Sequence, residues 1–321
     1  MATYGRPPIK IKEDYVMFDE KRLAPWDGIG RSVHGARNSK EVMKLAGLDW
    51  TVRSEDVYLE NGLVVPGVKA TVRSNDDKVL GIVGSNYKVV QNSEAFSFMD
   101  QVLGEGVTYE TAGALLGGKR VWVLAHVPGE YKFLDDNADP YILFSTSHNG
   151  TGAIRICLTP IRVVCMNTLN LAIKKASRSW SIIHKGLMEE KIANARDTLV
   201  ASKTYMGALC EEMIELNKIK LTDAQVDDYV KKLIPMPAAP SAMTKRNVTK
   251  KRLELIDRYQ LAPDLAHVDK SAFRLVNAVS DFATHSDPLR MRKNYRDTRL
   301  LSIMDGNDLI DRSYQMMKEA V

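Results

Sequence analysis

A run of residues without a carboxylate, from Pro140 to Met188, offers the clearest chemistry in this sequence. Its cations are Arg155, Arg162, Lys174, Lys175, Arg178 and Lys185. The whole chain is nearly balanced, with 45 Lys and Arg against 40 Asp and Glu, yet no acidic residue interrupts this run. Guanidinium and ammonium groups form charge-assisted hydrogen bonds with phosphate oxygens. The run therefore predicts a surface for an anionic partner.

Aromatic side chains near these cations favour single-stranded nucleic acid, because bases stack on aromatic rings while cations neutralise the phosphates. We expect the contacts to come from Arg155, Arg162, Lys174, Lys175 and Arg178, from Lys119 and Arg120 at a predicted hairpin tip, and from Tyr87 and Trp180 as stacking residues. His148 and Asn149 belong to the same predicted site, where they shape the turn beside the groove. Neutralising about six phosphates on a single strand predicts a slope of log affinity against log salt of roughly −4.

Strand geometry indicates which side chains of the run share a face. On a strand at 153–159, Ile154, Ile156 and Leu158 project to one face and Arg155 to the other. We expect the first face to be core and the second to be open enough for an arginine. On a helix that continues past Ser177, Lys174 and Arg178 align with Ser181.

A second interpretation of the same run requires no ligand. The cations then form a basic surface that pairs with acidic residues elsewhere in the fold, for example Glu189 and Glu190. The residues alone leave both interpretations open.

Signatures of catalysis are weak. The segments "GGKR" and "GSNYK" lack the spacing of a phosphate-binding loop, and the six histidines are not spaced with another His or Cys as metal ligands. Cys165, at the start of a predicted helix and near His148, suggests an activated thiol, but its apolar setting in "RVVCMN" favours a buried structural cysteine. We expect no catalytic residue, no metal and no cofactor, and we keep an enzyme acting on nucleic acid as a third class of function.

Composition is that of a globular protein, with 45% hydrophobic and 26% charged residues in 321 and a formal net charge of +5. Three cysteines without CxxC spacing are typical of a reducing compartment. The N-terminal segment has no apolar core of signal-peptide length, and no stretch has the roughly 18 apolar residues that cross a bilayer. We expect a cytoplasmic protein without a membrane partner.

The order of elements predicts an α+β fold, in which an antiparallel β-meander packs with helices and a mostly helical C-terminal part follows. In the N-terminal half we expect a capped helix in "NSKEVMKLAG", strands at 63–73, 78–84 and 86–90, a helix in "NSEAFSFMDQVLGEG", a meander at 107–160 and a helix in "RVVCMNTLNLAIKKA". In the C-terminal half we expect a long helical stripe at 188–217, helices in "TDAQVDDYVKKLI", "TKRNVTKKRLELIDRYQ" and "KSAFRLVNAVSDFATHS", and a Pro-rich linker near 235–243. The predicted domains are an arm at 1–48, a core at 49–187 and a helical region at 188–321.

Three blocks of the sequence resemble a known family. "GIVGSNYKVVQNSEAFSFMD", "STSHNGTGAIRICLTPIRVVCMNTLNLA" and "FRLVNAVSDFATHSDPLR" are similar, in that order, to the phage/plasmid-like protein family, a domain of unknown function. The resemblance runs from about Trp50 to the C-terminus. It implies a protein of bacterial mobile genetic elements, and it assigns no activity and no catalytic residue.

A resemblance at the level of fold concerns the single-strand annealing proteins of phages and the ring-forming eukaryotic recombination mediators. Their core is similarly a meander followed by a helix, and they hold single-stranded DNA in a basic groove. It implies annealing-type binding without a cofactor, in recombination or replication, by a homo-oligomer for which a ring is one form.

The alternative function is that of a protein-interaction or anti-defence protein of a mobile element, without nucleic-acid binding. Its working surfaces are then the helical stripe at 188–217 and the C-terminal helices.

Overall fold

The structure is a computed structural model that describes residues 30–102, 106–129, 131–133, 136–151, 154–162, 165–166, 179–182, 204–262, 265–290 and 294–319. The helices are α1 (Ser39–Ala46), α2 (Asn92–Val102), α3 (204–218), α4 (Asp223–Leu233), α5 (Ala242–Leu261), α6 (Ala272–His285), α7 (Tyr295–Asp305) and α8 (Asp308–Lys318). The strands are β1 (Arg31–Ser32), β2 (Val52–Tyr58), β3 (Val64–Arg73), β4 (Val79–Gly84), β5 (Thr108–Leu115), β6 (Arg120–His126), β7 (Tyr131–Phe133), β8 (Asp136–Ser147), β9 (Ile154–Arg162), β10 (Cys165–Met166) and β11 (Ser179–Ile182). Antiparallel sheets with a mostly helical C-terminal half confirm the predicted α+β class.

The larger sheet contains eight of the described strands. Its order is β1-β5-β6-β8-β9-β10, and β7 pairs with β8 while β11 pairs with β9. The pairs β5–β6 and β8–β9 are the two predicted hairpins of the meander. Gly117 and Gly118 turn the first hairpin with positive φ angles of 70° and 101°, which L-residues rarely adopt.

Alternate residues of this sheet pack on its two faces, as the period of a strand requires. Val121, Val123 and Ala125 of β6 belong to the main core, which also contains residues of α1, α2 and the C-terminal helices. Trp122 and Leu124 project to the opposite face, where a smaller cluster is covered by Leu300 and Met304 of α7. The helix α7 therefore lies over the second face of the sheet. Among the helices that the structure describes, none is long and apolar enough to cross a membrane.

A second sheet, in the order β2-β3-β4, packs on the turn that joins β8 to β9. A Cβ built on Gly81 of β4 comes within 2.6 Å of the Asn149 Cα, so only glycine allows this approach. The Thr71 hydroxyl donates to the His148 carbonyl at 2.7 Å, and the Tyr87 hydroxyl donates to the Ser147 carbonyl at 2.9 Å. Two of the recognised sequence blocks thus contact each other here.

Local signals predicted the helix ends well. Asn38 accepts from the Glu41 amide at 3.0 Å and Gly47 ends α1 with a φ of 68°, while Thr222 and Gln225 form a capping box at the start of α4. The predicted breaker "PMPAAPSAM" separates α4 from α5, and the predicted helix of "FRLVNAVSDFATH" is α6.

Three local predictions were wrong. The segment 86–90 is not a strand but a turn that leads into α2. Cys165–Met166 is strand β10 rather than the start of a helix, and Ser179–Ile182 is strand β11, which pairs with β9. The edge of β9 offers backbone hydrogen bonds to these short segments, and such long-range pairing outweighs local helix propensity. The helix predicted at 167–178 lies outside the described residues, as do residues 1–29 of the arm.

The predicted three-part division of the chain stays a prediction. The main core cluster includes Val33 and Val42 from the arm, Phe144 and Ile156 from the sheet, and Phe273 from the C-terminal helices. Apolar side chains from all three predicted parts therefore share one core.

Candidate nucleic-acid interface

Arg120 and Arg155, hereafter the arginine pair, converge on a single carboxylate. The Arg120 Nη atoms donate to the two Asp305 oxygens, each at 2.9 Å, and Arg155 Nη1 donates to Asp305 Oδ1 at 2.8 Å. Arg120 also donates to the Ser145 hydroxyl at 3.1 Å. The strands β6, β8 and β9 present these residues side by side, and Asp305 is the last residue of α7.

This arrangement changes the interpretation of the predicted basic face. The face opposite Ile156 and Leu158 does carry Arg155, but α7 covers much of it. Arg120 is nearly buried, with 11% of its side chain exposed, whereas Arg155 and Asp305 are 31% and 43% exposed. Two cations share one anion, so the cluster keeps one positive charge, and neither arginine is a free cation in this fold.

The tip of the β5–β6 hairpin carries further cations. Lys119 is half-buried at the tip, and the exposed ammonium group of Lys78 lies against Gly117. Arg73 lies beside them but is engaged by Asp76 and by the Gly117 carbonyl. Among the residues described, Lys78 and Lys119 form no ion pair, although the charge of Lys78 acts on the nearby Asp76 carboxylate.

His148 and Asn149 shape the turn and contribute little to an exposed surface. His148 is fully buried, with Nε2 at 2.8 Å from Asn92 Oδ1 and its ring edge-on to Trp50 at 5.3 Å. The buried His148 side chain thus lies inside the fold, beneath the turn that it was expected to shape. The Asn149 Oδ1 accepts from the Thr151 amide and hydroxyl, which closes the turn.

Of the two predicted stacking residues, Tyr87 is engaged where the two sheets meet. The hydroxyl of Tyr87 is held by the Ser147 carbonyl, and burial raises the pKa of Tyr87 to about 12, so its half-buried ring serves the junction of the sheets. Trp180 lies on β11 opposite Ile156, and Arg162 lies on β9 opposite Ala138. Lys174, Lys175 and Arg178 lie outside the described residues.

The structure reveals a cationic surface on α5 that the predicted site omitted. Lys245, Arg246 and Lys250 are exposed and Lys251 is half-buried. We call these four residues the α5 cation patch. None of them forms an ion pair with any carboxylate in the described part of the chain. Arg252 differs, because its guanidinium donates to the Ile234 carbonyl at 2.8 Å.

A signal for this patch was present in the sequence. Between Asp228 and Glu254 there is a second acid-free run, shorter than the first and richer in cations. Its C-terminal part belongs to the segment "TKRNVTKKRLELIDRYQ", for which the sequence predicts a helix. Only the fold shows that α5 buries no side chain before Leu255.

The patch is electrostatically unfavourable in the isolated chain. Arg246 and Lys250 are like charges at i and i+4, and all four cations lie in the N-terminal half of α5, where the helix dipole favours anions. No acidic residue occupies the first turn. An anionic ligand would relieve this repulsion.

A buried charged cluster between α5 and α6 contains a His–Asp pair of the kind that can transfer protons. His285 Nδ1 lies 2.8 Å from Asp281 Oδ1, and Arg258 contacts both Asp281 and Glu254. Burial by itself raises the pKa of Asp281, but the hydrogen bond with His285 and the charge of Arg258 outweigh it and hold that pKa at about 2. Asp281 is therefore a permanent anion that joins α5 to α6, which suits a structural role better than proton transfer.

Cys165 is a weaker nucleophile candidate than the sequence suggested. It lies in strand β10, paired with β9, and His148 is engaged with Asn92. The described residues also contain no group of three or more His, Cys, Asp or Glu that could hold a metal ion.

The fold and the charges define an α+β protein with an antiparallel core and an exposed cationic helix. The chain belongs to the family described as Domain of unknown function (DUF932), whose model matches residues 79–304. That match includes the three recognised sequence blocks from Gly81 to Arg290. No curated protein and no solved structure matches the chain.

Proposed function

We propose that this chain is a nucleic-acid-binding protein of a bacterial phage or plasmid, which binds single-stranded DNA in recombination or replication without a cofactor. The observation that carries the proposal is the α5 cation patch, four cations without a described carboxylate on a helix that buries none of its first half. Lys78 and Lys119 at the hairpin tip add two cations that form no ion pair among the described residues. Phosphates are the anions that such surfaces bind with strong salt dependence.

The exposed apolar side chains of α5 favour a single strand over a duplex. Met243 and Leu253 flank the cation patch and are 66% and 43% exposed. Unpaired bases expose flat apolar faces that such side chains can contact. In a duplex these faces are stacked on one another, and the outer surface consists mainly of phosphates.

A titration of a labelled single-stranded oligonucleotide at increasing salt tests the proposal. The variant K250A/K251A should bind more weakly than the unchanged protein, and its log–log salt slope should be smaller in magnitude by about 1.4, since each lost phosphate contact removes about 0.7. The matched control is K231A/K232A, because Lys231 and Lys232 already pair with Asp227 and Asp228. Absence of binding by the unchanged protein at low salt would refute the proposal.

Assembly into a homo-oligomer, for which a ring is one form, is part of the proposal. Light scattering with and without the oligonucleotide measures it directly. A defined mass larger than one chain, which increases when the oligonucleotide is added, is the expected result. A monomer under both conditions contradicts annealing by an assembled ring.

A second candidate function, protein interaction for the mobile element, is favoured by the tip of the β2–β3 hairpin. Tyr58, Leu59, Leu63 and Val64 are all about half exposed or more. Clustered apolar side chains at a surface are typical of protein contacts. A single host protein that is retained on the unchanged chain after nuclease treatment, and lost with L59S/L63S, would support this candidate.

A further inference from the structure

We infer that the arginine pair and Trp122 form a binding site for the backbone and a base of single-stranded nucleic acid, and that Asp305 of α7 occupies this site in the unliganded fold. The inference rests on the proposed function, to which it adds a second binding site and the helix that regulates access to that site. On this view α7 is a displaceable cover, and Asp305 stands where a phosphate would bind.

The geometry around Asp305 is that of an oxyanion site. Arg120 donates two parallel hydrogen bonds to the carboxylate, and Arg155 donates a third. Planar guanidinium groups recognise carboxylate and phosphate oxygens by the same fork. The Arg120 Nε is buried and has no hydrogen-bond partner, so Asp305 does not satisfy all the donors of the pair. A phosphate has more acceptor oxygens than a carboxylate.

The sheet places an aromatic ring beside the pair. In the register of β6, β8 and β9, Trp122 lies opposite Ser145, and Ser145 lies opposite Arg155. Two strand spacings separate Trp122 from Arg155, roughly 10 Å, and Arg120 precedes Trp122 by two residues on the same face. Cations beside an aromatic ring are the components of a single-strand site. The buried Trp122 Nε1 also has no hydrogen-bond partner.

The cover is attached by few side chains. Within the described part of α7, Leu300 and Met304 are the buried apolar residues that cover Trp122, and Asp297 accepts from the Leu116 amide at 2.7 Å. Asn294 makes no side-chain cap at the start of the helix. Gly306 follows α7 with a φ of 101°, a conformation that suits a chain turning sharply. Displacement of α7 would uncover the arginine pair and the part of Trp122 that Leu300 and Met304 cover, while Gly30 still lies against one edge of the ring.

Because Asp305 and the ligand compete for the same arginines, a substitution that weakens the Asp305 contact should increase the affinity for the oligonucleotide. A ligand shifts such an equilibrium only by its preference for the open form. Asp305→Asn weakens the closed form, since an amide cannot receive both arginines as an anion does. We expect D305N to bind a labelled single-stranded oligonucleotide about 5-fold to 100-fold more tightly than the unchanged protein. D308N is the matched control, because Asp308 is largely exposed and pairs only with Arg312 among the described residues.

A second measurement follows the cover itself. Hydrogen exchange of the amides of 295–305 should become faster when the oligonucleotide is bound, while the amides of α6 keep their protection. This measurement uses the unchanged protein, so it decides the matter even if D305N fails to fold.

The outcomes separate the two claims. If neither the unchanged protein nor D305N binds the oligonucleotide at low salt, the proposed function fails and this inference fails with it. If the unchanged protein binds, but D305N binds no more tightly than D308N and α7 keeps its protection, the inference is overturned while the proposed function stands.

Discussion

Arg274, near the beginning of α6, has its guanidinium group surrounded by backbone carbonyl oxygens. It donates to the carbonyls of Tyr259, Leu265 and Val268 at 2.6–2.7 Å and to that of Gln260 at 3.1 Å. The same group lies over the Tyr259 ring at 5.6 Å. This cation of the recognised block "FRLVNAVSDF" therefore orders the connection between α5 and α6 and is not available to phosphate.

Replacing Arg274 should be costly to the fold. We expect Arg274→Met to lower the free energy of unfolding by about 3 kcal/mol, since several buried carbonyls lose a charged donor. Urea denaturation measures the change, with Arg246→Met as the control at an exposed position of α5. Equal midpoints for the two variants would contradict the structural role of Arg274.

Gly81 tests the junction between the two sheets. Its Cβ would meet the backbone of Asn149 at 2.6 Å, and a backbone neighbour cannot move aside cheaply. We expect Gly81→Ala to lower the free energy of unfolding by about 2 kcal/mol or more. Gly84→Ala is the matched control on the same strand, because a Cβ there meets no atom within 4 Å. A thermal melt in which both variants unfold together would rule out the close approach.

The helices α5 and α6 are joined by a buried ion pair between Arg258 and Asp281. The charge of Asp281 is present at all ordinary pH values because its folded pKa, about 2, lies below the 3.8 that is usual for an aspartate. A carboxyl group with a lowered folded pKa stabilises the protein above its unfolded pKa, and this stabilisation is lost as pH falls from about 4 through 2.

Asp281→Asn should remove that contribution. At pH 7 we expect a loss of about 3 kcal/mol in the free energy of unfolding, because the buried Arg258 loses one of its two carboxylate partners and keeps only Glu254. The difference between the variant and the unchanged protein should shrink as pH falls below 4, as measured by urea denaturation across pH. A difference that stays constant down to pH 2 would show that Asp281 does not titrate in this window.

The whole molecule is organised around one main core that the sheet and the C-terminal helices share. Ile310, Tyr314 and Met317 of α8 belong to the same cluster as Phe144 and Ile156 of the large sheet. Lys318 of α8 also pairs with Glu212 of α3 at 3.1 Å. Loss of packing around α8 should therefore also destabilise the large sheet.

Met317→Ala tests this coupling. The cavity should lower the free energy of unfolding by about 2–4 kcal/mol. We expect tryptophan fluorescence and far-UV circular dichroism to shift to the same lower midpoint, because a shared core unfolds cooperatively. Two separate transitions, of which only one moves, would instead support independent domains at the predicted boundary near residue 188.

Much of the fold was determined by the sequence alone, because its signals are local. Asn38 and Gly47 bound α1, Thr222 begins α4, and alternation of apolar residues defines the two hairpins of the meander. Capping, turn chemistry and periodicity depend on residues within a few positions of one another, so they can be interpreted without the fold. The strands β10 and β11 were missed because each forms by pairing with β9, and the local sequence of a segment does not predict that pairing.

The candidate site was decided by the tertiary structure. The sequence identified Arg155 within an acid-free run and Arg120 at a hairpin tip, but Asp305 reaches them from 150 and 185 residues away. His148, from the same predicted set, is buried. The α5 cation patch was predicted only as part of a helix, and in the fold its four cations form no ion pair with a described carboxylate. Charge along a chain is fixed by the order of its residues, whereas the partner of each charge is fixed by which distant segments fold against it. The sequence could therefore name the cations of this protein, and only the folded chain could say which of them are still free to bind an anion.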